Sequence, residues 1–578
     1  MNRRRARLRW LDGIAALALL PTAVFSAEFP LGEAVLDIGG ALTLGTAVRT
    51  EARDAALLWN NNSSQIGVAG TAPGGRNQDD GNLNFARGDA VSTALKGYVD
   101  VRARHRDLTV FTRIKVWHDF ILADENMPWG HAPNGYAAGQ PLGQAGFPRR
   151  ARFSGAAVED AYVEARFDPA GAPLHVKLGR QTLPWGSGFM IGGGLADLNP
   201  SDAPAARRPG SFAEERSVAF PALHARLEAS PALALEAFAQ FGFEPNVIVP
   251  CGTFHSTADF VAPGCDRIWV TGTSDRDTTG FRTRAPTPGV ADGGQFGLSA
   301  SYRAESLATL FGVKAAQYHS RMPFGSMVKA ASPANAQYLF EYPERIRVFA
   351  AEFATRLPRA TIRGELTHRP NQPIQLNGLD LLAAFTTLQP GLLRGDANAT
   401  PAGATYRGYD RRPVTQLQLA ASTRQPGILG AESATFGGEV GVKRVSGLPD
   451  VAARRYGRSD VFGAGPVPGA ACTGSDVTCT SRGFVTTRSW GYRLRFALSY
   501  PGVIDGVELE PGIVFGHDVR GWSPDGVFNE GRKAATFSLR GDIGPRYFAE
   551  FAWQQAWGGV YDNARDRDAA TLVVGLRF

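Results

Sequence analysis

The nine histidines never fall within four residues of one another, so no HExxH zinc helix exists. No Gly-Lys dipeptide occurs, which removes the phosphate-binding P-loop. No nucleophile elbow stands between a strand and a helix. An enzyme would have to gather His, Ser and Asp from separated strands, and the reading is that the protein is not an enzyme. No cofactor is expected. No metal is expected either: Asp79-Asp80-Gly81-Asn82 offers oxygen ligands for calcium, but the spacing of a full calcium loop is missing, so it reads as a turn.

Residues 184–212 are more informative. The segment is rich in Gly, Pro, Asn and Asp and too long for a simple connection. Such backbone suits a loop folded into a protein interior, with Gly192, Gly193 and Gly194 allowing close approach to a wall or ligand. Arg180, Gln181, Trp185, Asn199, Asp202, Arg207 and Arg208 complete this candidate constriction. The two arginines are expected to pair with Glu159, Glu164 or Glu236. The alternative is a surface loop held by its own turns. A second set is Arg113, Lys115, Lys177, Arg226, Lys314, Arg363, Arg493, Arg495 and Arg540 with Glu159, Glu164, Glu228, Glu236, Glu365, Glu439, Glu508 and Glu550. All are assigned inward by strand parity. Mixed signs favour a bracing lattice of ion pairs across the wall over a one-sign selectivity field. Between 378 and 393, Leu379, Leu381, Leu382, Ala384 and Phe385 recur at helical spacing. A short amphipathic helix there would line an apolar entry site or pack on neighbouring loops.

These residues need elements to hold them. The chain is a series of segments of about ten residues with period-two alternation. Trp490, Tyr492, Leu494, Phe496 and Leu498 oppose Gly491, Arg493, Arg495, Ala497 and Ser499; Val110, Thr112, Ile114 and Val116 oppose Phe111, Arg113, Lys115 and Trp117. The last segment ends in aromatic Phe578, resembling the assembly signal of outer-membrane barrels. Strands are expected near 35–48, 94–106, 108–120, 157–167, 173–183, 222–230, 233–243, 294–304, 307–318, 346–357, 360–370, 413–424, 431–444, 487–500, 506–517, 534–543, 546–556 and 569–578. Connections alternate between tight turns and long loops. A soluble sandwich has no reason to do this, whereas a transmembrane barrel does. The fold expected is all-β: an antiparallel outer-membrane barrel of about 18 strands (16–18).

Composition agrees. The 578 residues include 68 Gly and 37 Pro, an excess that favours turns over long helices. Residues 1–26 carry five arginines before a short apolar stretch and read as a signal peptide. Without them the formal charge falls from +7 to +3, and no nucleic-acid signal remains. Beyond them no run is long and apolar enough for a helical span. The cysteines form two local pairs, and export favours disulfides Cys251–Cys265 and Cys472–Cys479 in the long loops 244–293 and 445–486 over free thiols.

Several motifs occur in a characteristic order. They are Asp80-Gly81-Asn82-Leu83-Asn84-Phe85, Leu178 to Gly186, Phe189 to Gly194, Leu198-Asn199-Pro200-Ser201-Asp202, Arg207-Arg208-Pro209-Gly210, Pro250 to Phe254, Gly264 to Arg267 and Gly364 to Asn371. Together they resemble the exported proteobacterial family labelled domain of unknown function 1302, over nearly all the chain beyond residue 26. One departure is Ser187, where related sequences tend to be acidic. The resemblance implies a large barrel in the outer membrane of a Gram-negative bacterium. It also implies a periplasmic or lipoprotein partner of the 1329 family, an inner-membrane efflux-type transporter, and movement of lipids, steroids or hydrocarbons. The expected function is therefore a porin-like channel for small, largely hydrophobic compounds. The alternatives are a water-filled porin for polar or anionic solutes and an adhesin or receptor anchored by a barrel.

Overall fold

The structure, a computed structural model, describes residues 27–578 apart from Ser187 and Thr473. The expected signal peptide and the Ser187 departure lie outside the described residues.

Eighteen antiparallel strands form the wall: β1 (Ala34–Arg49), β2 (Ala90–His105), β3 (Leu108–Asp119), β4 (Ser154–Phe167), β5 (Leu174–Gln181), β6 (Phe220–Glu228), β7 (Leu233–Gln240), β8 (Gln295–Ala304) and β9 (Thr309–Tyr318). The second half is β10 (Ile346–Arg356), β11 (Ala360–Gln375), β12 (Tyr409–Pro426), β13 (Ser433–Val445), β14 (Arg488–Ile504), β15 (Val507–Arg520), β16 (Lys533–Ile543), β17 (Tyr547–Trp557) and β18 (Ala569–Arg577). Each pairs with its sequence neighbour, and β18 closes on β1 in the register Ala41↔Arg577 to Arg49↔Ala569. Phe578 continues that seam, exchanging backbone hydrogen bonds with Gly40 at 2.7 and 3.0 Å. Closure leaves no open sheet edge along the seam. A strand at Ala27–Leu31 turns back onto β1 below the end of β18.

Period-two alternation makes this wall. On β3, Val110, Ile114 and Val116 are 44–50% exposed on the outside, while Phe111, Lys115 and Trp117 are buried inside. Leu298, Val313, Leu494, Phe551 and Leu572 extend the exposed apolar band around the barrel. Apolar side chains thus point out and charges point in, the reverse of a soluble sandwich. All eighteen expected strands are present. The main difference is at β11, which runs on to Gln375 past a register shift between Arg369 and Gln372. Pro370 lacks an N–H, so the ladder slips there and resumes.

Eight tight turns lie at one end. At the other are the long loops L1 (50–89), L2 (120–153), L3 (182–219), L4 (241–294), L5 (319–345), L6 (376–408) and L7 (446–487), with shorter L8 (521–532) and L9 (558–568). Most of the buried apolar core lies here rather than in the wall. Phe85, Met127, Phe147, Phe153 and Phe254 pack L1, L2 and L4 together. Tyr338, Phe340, Leu381, Phe385 and Tyr456 pack L5, L6 and L7. Disulfides Cys251–Cys265 and Cys472–Cys479 close hairpins in L4 and L7. The helix expected over 378–393 spans only Gly378–Thr386. Thr387 is extended, and Pro390 disfavours helical backbone at the residue before it.

Candidate functional site

L3 leaves β5, turns into the barrel and crosses it. At its base, Asn199 accepts from Leu183 N at 2.8 Å and donates to Leu183 O at 2.9 Å, closing a compact lobe. Trp185 packs edge-on to Phe238 and donates through Nε1 to Glu236 on β7 at 2.9 Å.

The tip docks on β11, β12 and β13. Ile191 N donates to Glu439 at 3.0 Å, as does Met190 N, and Gln418 donates to Ile191 O at 2.6 Å. Gln416 donates to Gly192 O at 2.9 Å and accepts from Gly194 N at 3.1 Å. Leu195 N donates to Glu365 at 2.9 Å, Arg363 donates to Gly188 O at 3.3 Å, and Arg369 binds Gly194 O and Asp197. Glycine is required at 194, where φ is +63° and an added Cβ would lie 2.0 Å from Glu365 Oε1.

The second half of L3 holds the other side. Asp202 caps the turn Ala203–Arg207 and accepts from Lys115 on β3 at 3.0 Å. Arg208 is buried over Trp117 and donates to the carbonyls of Arg150 and Arg152. Glu215 pairs with Lys96 on β2. L3 is therefore pinned from β7 to β13 by its tip and on β2 and β3 by its return. Among the described residues, no hydrogen bond joins it to β14–β17.

Two spaces result. Beside β14–β17 lies a polar gap of about 270 Å³, bordered by Arg207, His255, Arg493 and Gln554. Arg207 is exposed and has no hydrogen bond or ion pair among the described residues; Arg495, one inward position deeper on β14, is the same. Burial, then Arg207 and Arg567 nearby, hold the His255 imidazole well below its usual range, so it is neutral at pH 7. Above the tip, under the loops, lies a larger cavity of about 910 Å³. Its floor includes Trp185, Gly192 and Asp197, and its upper walls Phe260, Val261, Met322, Met327, Phe340, Leu381 and Leu382. The wall is mostly apolar because the Gly378–Thr386 helix and the L5 hairpin turn their packed faces toward it.

Other expected residues are committed to the wall. Arg180 pairs with Glu244 at 2.8 Å, and Gln181 donates to Ala222 O at 2.8 Å. Arg113 pairs with Asp100, Arg226 with Glu236 and, at 3.9 Å, Glu228, and Lys314 with Glu352. Arg493 pairs with Asp518, Arg540 with Asp542 and Glu550, and Lys177 stacks over Tyr162. Glu508 accepts from Ser499 at 2.9 Å. Apart from Arg180, which reaches Glu244 in L4, these contacts run between neighbouring strands or within one, and brace the wall. Opposite charges meet at cross-strand spacing, and the lumen is too wide for side chains to span. The pairings expected for Arg207 and Arg208 do not form. Glu159 is taken by Lys115 and Arg150, Glu236 by Arg226 and Trp185, and Glu164 lies 3.9 Å from His175. The sequence reading missed Gln416 and Gln418. Two inward amides on β12, beside Glu365 and Glu439 on the flanking strands, were the signal that a polar partner sits on that wall.

No curated protein matches the chain in sequence. Solved structures align along nearly its whole length at low identity. OccAB1 of Acinetobacter baumannii is 10% identical, with 94% of this chain and 96% of that chain covered and a TM-score of 0.42. The outer membrane channel DcaP of Acinetobacter baumannii is 8% identical, with 96% and 100% covered and a TM-score of 0.34. OpdK of Pseudomonas aeruginosa, solved with vanillate, is 10% identical, with 94% and 98% covered and a TM-score of 0.37. Over residues 9–578 the sequence matches the family described as protein of unknown function (DUF1302), and the chain belongs to that family.

Proposed function

We propose that the protein is a channel in the outer membrane of a Gram-negative cell that admits small, largely hydrophobic compounds of lipid, steroid or hydrocarbon type. The exposed apolar band supports a lipid setting, since that area in water would be strongly unfavourable. The long loops then face outward and the tight turns the periplasm. A partner of the 1329 family and an inner-membrane efflux-type transporter would act beyond that inner end. The observation that carries the substrate class is the mostly apolar cavity of about 910 Å³ between loops and constriction, where Arg321, Arg369, Lys443 and Asp525 also reach the lining. That volume suits a drug-sized apolar ligand. The ligand would bind there, then pass L3 on its unattached β14–β17 side. Such passage needs no covalent step.

The polar gap favours a second reading, passage of anionic solutes past Arg207 and Arg493, with Arg495 one inward position deeper on β14. Binding in lipid nanodiscs separates the two. A tritiated steroid-type probe should bind saturably to the native protein. It should bind at least tenfold more weakly to Met322→Arg, a half-exposed position that places charge in the cavity without disturbing the packed loops. Equal binding to both proteins, at the level of empty nanodiscs, sinks the hydrophobic reading.

A further inference from the structure

Away from the passage, four aspartates are fully buried where L1 meets L4. Asp79 and Asp80 come from L1, and Asp259 and Asp275 from L4. The turn expected at 79–82 is the start of a short helix, Asp80–Asn84. The ligands missing from its own spacing arrive from L4. One oxygen each of Asp79, Asp80 and Asp259 lie within 4.8 Å of one another; so do an oxygen of Asp80, an oxygen of Asp275 and a nitrogen of His131.

The two loops are built to hold this arrangement. A Cβ on Gly81 would lie 2.1 Å from Thr253 O, so only glycine lets the helix sit on the Cys251–Cys265 hairpin. Asn84 donates to Gly252 O at 2.9 Å, and Asp259 N donates to Asn77 O at 2.8 Å. Part of the carboxylate oxygen set is satisfied. Asp79 accepts from Trp59 N and Asn62 Nδ2, both at 2.9 Å; Asp80 accepts from Trp129 Nε1 at 2.7 Å, His131 Nδ1 at 2.9 Å and the Tyr136 hydroxyl.

Two oxygens are left over. Asp259 Oδ1 and Asp275 Oδ1 are buried and receive no hydrogen bond from any described residue. Among the described residues, no lysine or arginine makes an ion pair with any of the four aspartates, and His131 is the sole ion-pair neighbour. Both His131 ring nitrogens are engaged, Nδ1 with Asp80 at 2.9 Å and Nε2 with the Asn134 amide at 3.2 Å. Buried, crowded carboxylates offset only by Arg567 and Arg276, neither in an ion pair with them, repel one another and forfeit hydration. From the unpaired Asp259 Oδ1 and the all-carboxylate triad it belongs to, we propose that Asp79, Asp80 and Asp259 bind a divalent cation of the calcium class, which cross-links L1 to L4, with Asp275 beside them on Asp80. Several converging carboxylates suit the high oxygen coordination of calcium better than magnesium, which keeps much of its water, and no soft or imidazole donor is free for a transition metal. The site concerns the loop cap and is independent of what passes through the barrel.

Terbium is the direct probe, because Trp129 Nε1 touches Asp80 and can sensitise a bound lanthanide. The full-length barrel is refolded in detergent, free of lipopolysaccharide, and excited through tryptophan. The native protein should give saturable terbium emission that calcium displaces, and Asp259→Asn/Asp275→Asn should lose it. Calcium at 1 mM should also slow proteolysis of L1 and L4 about tenfold relative to chelator, as a dissociation constant near 10⁻⁴ M implies. This second readout needs no variant and stands if the double variant does not fold. Native protein with no saturable emission and calcium-independent proteolysis would overturn the site. So would an asparagine variant that is thermally more stable while calcium leaves the native midpoint unchanged, for then the carboxylates share protons and bind no cation.

Discussion

Replacing Gly194 by alanine should undock the tip of L3. The native φ is +63°, and the new methyl would lie 2.0 Å from Glu365 Oε1 and 2.7 Å from Gln418 Oε1. The left-handed backbone costs a side chain about 1 kcal/mol. Moving Glu365 aside loses its bond from Leu195 N, and shifting the backbone loses the bond from Gly194 N to Gln416. At about 1–2.5 kcal/mol for each buried N–H left without its partner, the total is about 3–6 kcal/mol. The ratio of docked to undocked tip should then fall by about 10²- to 10⁴-fold. Single-channel recording in planar bilayers reads this directly. Gly194→Ala should add large, flickering steps absent from the native barrel. Glu439→Ala should do the same by freeing Met190 N and Ile191 N, and Glu439→Gln, which keeps one acceptor oxygen and turns an NH2 donor against the other N–H, should fall between native and Glu439→Ala. Step size and flicker unchanged in both Gly194→Ala and Glu439→Ala would refute the docking as the determinant of the constriction.

Three other perturbations test separate parts of the account. Arg207→Glu in the gap, with Arg495→Glu one inward position deeper on β14, removes positive charge from this side of the lumen, and the reversal potential in a salt gradient should move toward cation preference; an unmoved potential would place the ion path elsewhere. Burial, and then Asp380, push the Asp460 carboxyl in L7 up to about 7. The folded state thus keeps a proton that the unfolded chain gives up near pH 4, so stability is highest below that and falls as pH rises toward 7, by up to about 4 kcal/mol. Hydrogen-exchange protection of 446–487, normalised for the intrinsic base-catalysed rate, should fall across that window and level off above it, and Asp460→Asn should flatten the profile. Removing the Cys251–Cys265 bridge, which spans 14 residues, should loosen L4 by about 3 kcal/mol, read as faster proteolysis of 241–294 without loss of the barrel.

The wall was legible because each strand has one lipid-like face and one polar face, and period two survives in sequences such as Trp490 to Leu498. Strand ends were less so. At β11 the ladder continues past Pro370 into polar residues where alternation carries no apolar signal. L3 was legible as a glycine-rich insertion, but its receptors were not. Gln416, Gln418, Glu365 and Glu439 become neighbours only through strand register, and they meet Ile191 to Leu195 across the lumen. The same reason hid the acidic cluster. Asp79-Asp80 lacks calcium-loop spacing, and Asp259 and Asp275 reach it only from another loop. Arg208 shows the opposite failure: carbonyls of Arg150 and Arg152 satisfied it, and backbone acceptors leave no trace in residue type.

Paired entry rates into porin-deficient Gram-negative cells test the central claim most directly. An intact lipopolysaccharide surface slows both apolar and charged solutes, so each rate reports the channel. Expression of the native protein should speed entry of an apolar fluorescent naphthylamine several-fold. It should leave entry of a charged β-lactam, read by periplasmic hydrolysis, near the vector control. Met322→Arg should abolish the gain with the barrel still assembled. Faster entry of the charged β-lactam with no gain for the apolar probe would contradict the account and assign the barrel to polar solutes.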